Sequence, residues 1–271
     1  MKNTQSAGSI VCVGLGMTLG SHLSPISRSY IEEADVVFVL ASDGIVEKWI
    51  SEMNADVRSL QLYYHEGESR LDSYQQMIKV MLEQISLGYK VVGAFYGHPG
   101  VFACVPHQVI KQAIELGYYA KMEPGISAED CLYADLGIDP GETGCAHYET
   151  SQFMFFKRNI DNAAYLILWQ VGIAGDNTLT KFSTGEVYRQ VLVDLLTEYY
   201  SAEQNVILYE APTLPIHQPR MDYLALSNLA KAKLNQHTTL VIPPNKSMIR
   251  NEFICSKLAG LSKSQHFLQL V

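Results

Sequence analysis

The most informative loop for the fold class of this chain is Phe95-Tyr96-Gly97-His98-Pro99-Gly100-Val101-Phe102. It continues from an apolar run, residues 90–95, of the kind that forms buried parallel strands. Its two glycines and its proline fix a tight turn that presents a tyrosine and a histidine at the end of the strand. In α/β proteins ligands bind at such strand ends, although an ordinary tight turn accounts for the same residues.

Apolar strands alternate with amphipathic helices on both sides of this loop. In the first half the pattern predicts strands at residues 9–13, 36–40 and 90–95, and helices at residues 71–87 and 105–116. In the second half it predicts strands at residues 164–170, 205–209 and 238–242, and a helix at residues 187–199. This alternation predicts an α/β protein with a mainly parallel sheet.

A break in the pattern predicts two lobes. Glu123-Pro124-Gly125 interrupts any regular element and suits a linker. We therefore predict an N-terminal α/β lobe at residues 1–122, a C-terminal α/β lobe at residues 123–245, and a tail or closing helix at residues 246–271. A ligand is expected in the cleft between the lobes.

Two further segments contain small residues at places where a ligand could approach the backbone. Val13-Gly14-Leu15-Gly16 follows the first strand, but Leu19 occupies the third glycine position of a dinucleotide fingerprint. Asp43 is the only candidate for a ribose-binding acid, so a nicotinamide oxidoreductase is disfavoured. The second segment is Glu123-Pro124-Gly125-Ile126-Ser127-Ala128-Glu129. Its small residues could admit a nucleoside, or Ser127 could simply cap a helix with Asp130 three residues on.

Composition excludes several classes of partner. The 271 residues carry a formal net charge of −8 without a basic cluster, which disfavours nucleic acid. Glycines interrupt the first apolar stretch, so neither a signal peptide nor a membrane span is expected. The five cysteines form no CxxC pair and are expected to be buried, reduced thiols in a cytoplasmic protein. No residues at metal-ligand spacing surround His98, so no metal is expected.

In their order and separation, the three glycine-containing segments resemble the tetrapyrrole-methylase superfamily. His98 stands where the common pattern has Asp, and Tyr-Gly-His-Pro-Gly is typical of its borosin branch, whose enzymes N-methylate peptide backbones. The resemblance extends through residues 121–139, 151–156, 168–170 and 239–244. It implies a two-lobed tetrapyrrole-methylase-like fold with a mainly parallel N-terminal sheet, a mixed C-terminal sheet, and S-adenosylmethionine bound in the cleft between the lobes.

The resemblance also implies functional residues. The implied cofactor contacts are Tyr96, His98, Val101, Ala103, Ser127, Ala128, Gln170, Tyr209, Ala211, Thr238 and Thr239. Arg70 would stabilise the amide oxygen, Tyr74 would act as base if an adjacent arginine lowers its pKa, and Tyr64 would assist. Tyr96 would lie beside the reactive methyl group. Without the resemblance, helical spacing alone places Tyr74 in a core and Arg70 in solvent.

The implied partners are a peptide and a second copy of the chain. Borosin enzymes often carry their substrate as an apolar C-terminal extension, whereas residues 245–271 suggest a closing helix, and residues 267–271 are the only candidate substrate. We therefore expect a separate precursor peptide. A homodimer is expected because Phe153, Phe155 and Phe156 are too aromatic for a bare surface, although core packing explains them equally. A small-molecule methyltransferase and a non-catalytic peptide-binding module remain alternatives.

Overall fold

The structure, a computed structural model, describes the backbone of residues 8–65 and 67–268 and the side chains of these residues up to 261. Its helices are α1 (Pro25–Glu33), α2 (Gly44–Ser51), α3 (Arg70–Ser86), α4 (Val105–Glu115), α5 (Ala128–Leu136), α6 (Pro140–Thr143), α7 (Thr150–Phe155), α8 (Glu186–Thr197) and α9 (Glu252–Leu268). Its strands are β1 (Ser9–Gly14), β2 (Val36–Leu40), β3 (Val57–Ser59), β4 (Lys90–Phe95), β5 (Tyr119–Met122), β6 (Cys145–Glu149), β7 (Tyr165–Trp169), β8 (Asn205–Glu210), β9 (Arg220–Ala225) and β10 (Thr239–Ile242).

The first sheet is wholly parallel, in the order β3-β2-β4-β1-β5. Its central strands are buried on both faces, as parallel strands covered by helices must be. One face packs on Ile31 of α1 and on Val46 and Ile50 of α2. The other face packs on α3 and α4, with Met77 and Val109 in the contact. The N-terminal lobe is therefore a three-layer sandwich of helix, sheet and helix.

The second sheet is mixed, in the order β6-β7-β10-β8-β9, with only the β6–β7 pair parallel. Helices α7 and α8 cover one face, where Phe153 and Leu192 lie in the core. Helix α5 covers the other face through Cys131 and Leu132. This arrangement, together with the parallel first sheet, confirms the predicted fold class.

The sequence predicted every central strand and missed every edge strand. The missed strands are β3 and β5 in the first sheet and β6 and β9 in the second. An edge strand is covered on fewer sides, so it needs no continuous apolar run; β9, for example, is mostly exposed. The cysteines also differ from expectation, because only Cys12 and Cys131 are buried and Cys104 is exposed, although all five are free thiols.

A side-chain cap fixes the start of α3, the helix that contains two of the predicted catalytic residues. The Ser69 side chain accepts a hydrogen bond from the Leu71 backbone N–H, so α3 begins at Arg70. Gly88 adopts a left-handed φ of 92° just beyond the C-terminus, where a residue with a side chain would be strained. The helix thus presents Arg70 and Tyr74, one turn apart, at its N-terminal end.

Three glycines bring the two lobes' connecting loops into backbone contact. A Cβ added at Gly14 would lie 2.5 Å from the Gly97 carbonyl oxygen and 2.7 Å from the Gly125 Cα. A Cβ at Gly125 would meet the same oxygen at 2.5 Å and the Gly14 Cα at 2.8 Å. Only glycine fits at these positions, so this contact fixes how the loop after β1, the loop after β4 and the segment before α5 meet.

Replacement of Gly125 by alanine is expected to destabilise the protein. The added methyl group would overlap backbone atoms that cannot rotate away, which costs about 1–3 kcal/mol in a packed site. The free energy of unfolding, measured by urea titration, is therefore expected to fall by that amount in Gly125→Ala.

The matched control is Gly44→Ala. Gly44 lies in α2, is exposed, and has no atom within 4 Å of an added Cβ, so alanine should be neutral or slightly stabilising there. Equal unfolding free energies for the Gly125 variant and the parent would show that the three loops do not depend on this contact.

Candidate active site

The site is built where two neighbouring parallel strands send their chains to opposite faces of the sheet. β1 leads to α1 on one face, and β4 leads to α4 on the other. Such a switch point opens a crevice at the carboxyl ends of the strands. Here two backbone hydrogen bonds tie the crevice loops together, from Gly97 N to the Gly16 oxygen at 2.9 Å and from Gly16 N to the Gly97 oxygen at 3.2 Å.

A histidine holds the loop after β1 in shape. Nδ1 of His22 accepts hydrogen bonds from the backbone N–H groups of Met17 at 3.3 Å and Thr18 at 3.2 Å. Burial lowers the pKa of His22, which suits a neutral ring that must accept. The same loop contacts the second lobe, because Leu19 N donates to the Thr213 oxygen at 3.0 Å. The Thr18 hydroxyl also donates to the oxygen of Pro212 at 2.9 Å, and Pro212 directly follows Ala211, a predicted cofactor contact.

The side chain of His98 stabilises the loop after β4. Nδ1 of His98 accepts from the Gly100 backbone N–H at 2.9 Å, so this half-buried ring stabilises the turn. Val101 and Ala103 are half-buried beside it. Phe102 has a left-handed φ of 49°, which is strained for a residue with a bulky side chain. Backbone strain of this kind clusters at ligand sites.

A chain of four side chains supports the opposite wall. The Trp169 indole N–H donates to Nδ1 of His147 at 3.2 Å, and Nε2 of His147 lies 2.7 Å from the Tyr133 hydroxyl, which donates to Glu129 at 3.0 Å. An indole N–H only donates, so Nδ1 accepts and the proton of the neutral ring lies on Nε2. Burial lowers the pKa of His147 and favours that neutral form. Sequence reasoning missed this chain, because its members come from three separate elements, α5, β6 and β7.

The supported Trp169 connects the two walls. Its ring lies 5.6 Å from that of Phe102, which belongs to the loop after β4. The next residue, Gln170, has a left-handed φ of 60°, which is uncommon for a residue with a side chain. Gln170 and Phe102 are thus two strained residues held on either side of the same crevice.

The predicted cofactor residues of the second lobe differ in accessibility. Ser127 caps α5 in a reciprocal capping box with Asp130, so the capping role is observed, and Ala128 follows half-buried. Thr238 is fully buried and its hydroxyl donates to Glu210 at 2.6 Å. The side chains of Tyr209 and Thr239 are also internal, and Tyr209 donates to Asp135 at 2.7 Å. These three side chains have structural roles, and their predicted cofactor contacts are untested.

The four predicted catalytic residues come together in one cluster. The rings of Tyr64 and Tyr74 lie edge to face with centroids 6.2 Å apart, and their phenol groups interact with each other. Arg70 lies within electrostatic reach of both phenols. Tyr96, 46% exposed at the end of β4, is close to the same pair. Residues that are up to 32 positions apart in the sequence therefore lie close together, and their catalytic roles stay predictions.

The acidity of these phenols differs from the expectation. Burial raises the pKa of Tyr74 above its ordinary value, although the charge of Arg70 and the hydrogen bond from Tyr64 both oppose the rise. Burial raises the pKa of Tyr64 further. The expectation that an adjacent arginine lowers the tyrosine pKa is therefore wrong for the net effect, because desolvation outweighs the arginine.

Arg70 is anchored by the second lobe. Its Nη2 lies 3.5 Å from Oδ2 of Asp176, and its Nε donates to the Leu179 carbonyl oxygen at 3.3 Å. Within the described part of the chain Nη1 makes no such contact, which leaves its two N–H groups for a ligand. Sequence reasoning did not find Asp176, since it lies in an irregular segment after β7 without a recognisable motif.

Among the side chains that the structure describes, residues 8–65 and 67–261, no three His, Cys, Asp or Glu residues cluster so as to hold a metal ion. None of the helices in that part of the chain has the length and apolar character required to cross a membrane. Cytoplasmic localisation stays a prediction.

The sequence of this chain is similar to curated proteins over most of its length. It is 40% identical over 267 residues to a Gymnopus fusipes protein named methyltransferase/ribosomally synthesized cyclic peptide gymnopeptides precursor. It is 38% identical over 262 residues to a Coprinopsis marcescibilis methyltransferase/ribosomally synthesized type I borosin cyclic peptide precursor. These matches cover 96% and 92% of this chain but only 63% and 66% of the relatives. The chain thus spans less than two thirds of their length.

Solved structures and a family comparison agree on the fold. The uroporphyrin-III-C-methyltransferase of Thermus thermophilus superposes with a TM-score of 0.61 at 17% identity, covering 88% of this chain and 93% of that one. At that identity the likeness shows the fold alone. Residues 9–245 match the family described as Tetrapyrrole (Corrin/Porphyrin) Methylases. That match covers both sheets and every segment of the crevice, and the chain belongs to the tetrapyrrole methylase family.

Proposed function

We propose that this protein is an S-adenosylmethionine-dependent methyltransferase that N-methylates backbone amides of a peptide. The observation that carries the proposal is the cluster of Tyr64, Arg70 and Tyr74 beside Tyr96, at the crevice of a methylase fold. The cluster offers both a proton acceptor and a fixed cation, which are the two groups that an unreactive amide requires. The names of the curated relatives, which pair a methyltransferase with a cyclic peptide precursor, support methyl transfer and a peptide substrate.

The crevice suits a nucleoside cofactor. Gly16 and Gly97 take left-handed φ values of 72° and 65°, and the three-glycine contact leaves a loop surface without side chains, against which a flat group can lie. Tyr96 presents an aromatic ring at its edge, which suits a positively charged sulfonium. We assign binding to these loops together with Val101, Ala103, Ala128 and Gln170. The bound cofactor supplies an activated methyl group.

The cluster is suited to activating an amide. An amide nitrogen is a poor nucleophile because its lone pair is delocalised into the carbonyl group. The free Nη1 donors of Arg70 would bind the amide oxygen and stabilise negative charge there. The phenolate form of Tyr74 would accept the N–H proton and become a neutral phenol, and a hydrogen bond to Tyr64 would stabilise that phenolate before the transfer. Tyr96 and the glycine loops would fix the direction of approach.

We propose a peptide substrate on the strength of the relatives' names, each of which pairs a methyltransferase with a cyclic peptide precursor. Those relatives hold both functions in one chain, so the separate precursor implied by the sequence remains a proposal. In the candidate self-substrate 267–271, residues 269–271 lie outside the described residues. The preceding backbone belongs to α9, Glu252–Leu268, and is helical, whereas a substrate strand must be extended for successive amides to enter a site.

The protein is expected to bind S-adenosylmethionine and its demethylated product, and to bind NAD weakly or not at all. Asp43, the one candidate for a ribose-binding acid, instead caps α2 by accepting from Ile45 N at 2.7 Å. Isothermal titration calorimetry measures all three affinities. Gly125→Ala should weaken cofactor binding and Gly44→Ala should not. Absence of heat with both methionine nucleosides would contradict the proposal.

Removal of the catalytic groups should slow methyl transfer but spare cofactor binding. Tyr74→Phe is expected to lower kcat at least about 100-fold by deleting the base, and Arg70→Ala about 100- to 1,000-fold by deleting the oxyanion donor. Rates would be measured by mass spectrometry on a synthetic Val- and Ile-rich peptide and on peptides encoded beside this gene. A variant that turns over at the parental rate would disprove the role of that residue.

The pH dependence provides a separate test of Tyr74. Because the pKa of Tyr74 is raised, less than about one in 1,000 molecules carries the phenolate at pH 7. The reactive fraction, and with it kcat, should rise about tenfold per pH unit from pH 7 to 9. The Tyr74→Phe variant should lose this slope. A parental profile that is flat over the same range would show that phenolate formation does not limit the reaction.

We also propose a homodimer. Phe153 is only 2% exposed and belongs to the core of the second lobe, so that part of the sequence argument is wrong. Phe155 and Phe156 are 49% and 57% exposed, and Phe253 and Leu261 of α9 are exposed as well. Apolar surface of this extent, near the middle and the end of the chain, favours contact with a second copy.

Light scattering at micromolar concentration should give twice the chain mass of 30.2 kDa. The double variant Phe155→Asp with Phe156→Asp should shift the mass toward that of one chain, because two buried carboxylates would oppose association. Val187→Asp, on the exposed face of α8, is the matched control and should leave the mass unchanged. A parental mass of one chain would refute the dimer.

A further inference from the structure

Asp176 is an unusual carboxylate because it is almost fully buried beside the proposed catalytic cluster. Its exposed fraction is 3%, and it follows the short helical turn after β7 in the second lobe. Among the described residues, Glu123 is the other acid with comparable burial, and it pairs with the exposed Lys121. The partner of Asp176 is Arg70, whose side chain is itself only 14% exposed. A buried carboxylate costs free energy unless it is satisfied.

Four donors surround this carboxylate. Oδ1 accepts from the Thr178 backbone N–H at 3.0 Å and from the Thr178 hydroxyl at 2.6 Å. Oδ2 accepts from the Lys181 backbone N–H at 3.2 Å and from Nη2 of Arg70 at 3.5 Å. These contacts hold the pKa of Asp176 below its ordinary value in spite of its burial. Asp176 is therefore a fixed negative charge at neutral pH.

The segment that follows Asp176, residues 178–181, also binds Arg70 through its backbone. The Leu179 carbonyl oxygen accepts from the Arg70 backbone N–H at 3.0 Å and from its Nε at 3.3 Å. Leu179 has a left-handed φ of 56°, which is strained for a leucine. Gly67 N adds a contact of 3.4 Å to the Thr180 oxygen. The guanidinium is thus fixed at Nε and Nη2, and Nη1 is directed away from both anchors.

We infer that Asp176 is a positioning residue for Arg70, which it holds by its carboxylate and by the loop that it caps, so that Nη1 meets the oxygen of a neutral amide. The inference rests on the proposed function. The pair of Asp176 and Arg70 carries no net charge, which suits a polarised neutral carbonyl better than an anionic ligand such as a carboxylate-bearing tetrapyrrole. The second lobe thereby completes a catalytic cluster whose other members lie in the first lobe.

The test is a double-mutant cycle on methyl transfer with Asp176→Asn, Arg70→Ala and the double variant. Asp176→Asn keeps the shape of the side chain, but the group that faces Arg70 becomes either an N–H donor or an uncharged oxygen. We therefore expect kcat to fall about 10- to 100-fold, the loss typical of a misplaced catalytic group. The dissociation constant for S-adenosylmethionine should change less than about twofold. The double variant should be no slower than Arg70→Ala alone, since Asp176 acts through Arg70.

The control is Asp72→Asn, an exposed carboxylate in the first turn of the same helix, which should match the parent. If Asp176→Asn is misfolded by circular dichroism, Thr178→Val replaces it, because that change leaves the carboxylate in place and removes the 2.6 Å hydrogen bond to Oδ1 together with the hydroxyl's contacts to Thr180. A folded variant with parental kcat would overturn the inference. So would a double variant in which the two losses multiply, because Asp176 would then act independently of Arg70.

Failure of the proposed function gives a different result. In that case the parent protein transfers no methyl group to any of the peptides, and the inference about Asp176 falls with it. If the parent is active and only the cycle fails, the proposed function stands and Asp176 is a structural residue of the second lobe.

Discussion

The contact among Gly14, Gly97 and Gly125 is the constraint on which the rest of the site depends. It lets three backbones approach at distances that a single methyl group would prevent. β1 and β4 belong to the first sheet, and the segment containing Gly125 leads into α5, which packs on the second sheet. The same contact therefore joins the loops after β1 and β4 to the segment that leads into α5, and through α5 to the second sheet.

Opposed electrostatic effects act on the proposed catalytic cluster. Desolvation stabilises the neutral phenols of Tyr64 and Tyr74, while the guanidinium of Arg70 favours their ionised forms, and desolvation is the larger effect. The Arg70 side chain is only 14% exposed, and Asp176 supplies the compensating charge that a cation in such a position requires. Such a cluster would keep its base protonated until a substrate is aligned, at the cost of a low population of the reactive form.

The predictability of each part follows from how local its determinants are. Central strands such as β2 and β4 are buried on both faces, so their apolar runs identified them, whereas the edge strand β9 left no such pattern. The capping role of Ser127 was readable because its partner Asp130 is three residues away. Asp176 and His147 were not, since their partners Arg70 and Trp169 come from distant segments. The sign of the pKa shift of Tyr74 needed the burial that only the fold reveals.

The central claim is that the crevice directs a methyl group to a backbone amide nitrogen. Tandem mass spectrometry of the products, after incubation with cofactor carrying a trideuterated methyl group, locates that group directly. We expect label on backbone nitrogens of the added peptide and none on the enzyme. Label on side chains, or label incorporated only into a tetrapyrrole or another small molecule, would contradict it. Label confined to the enzyme's own C-terminal residues would keep the chemistry and overturn the separate substrate.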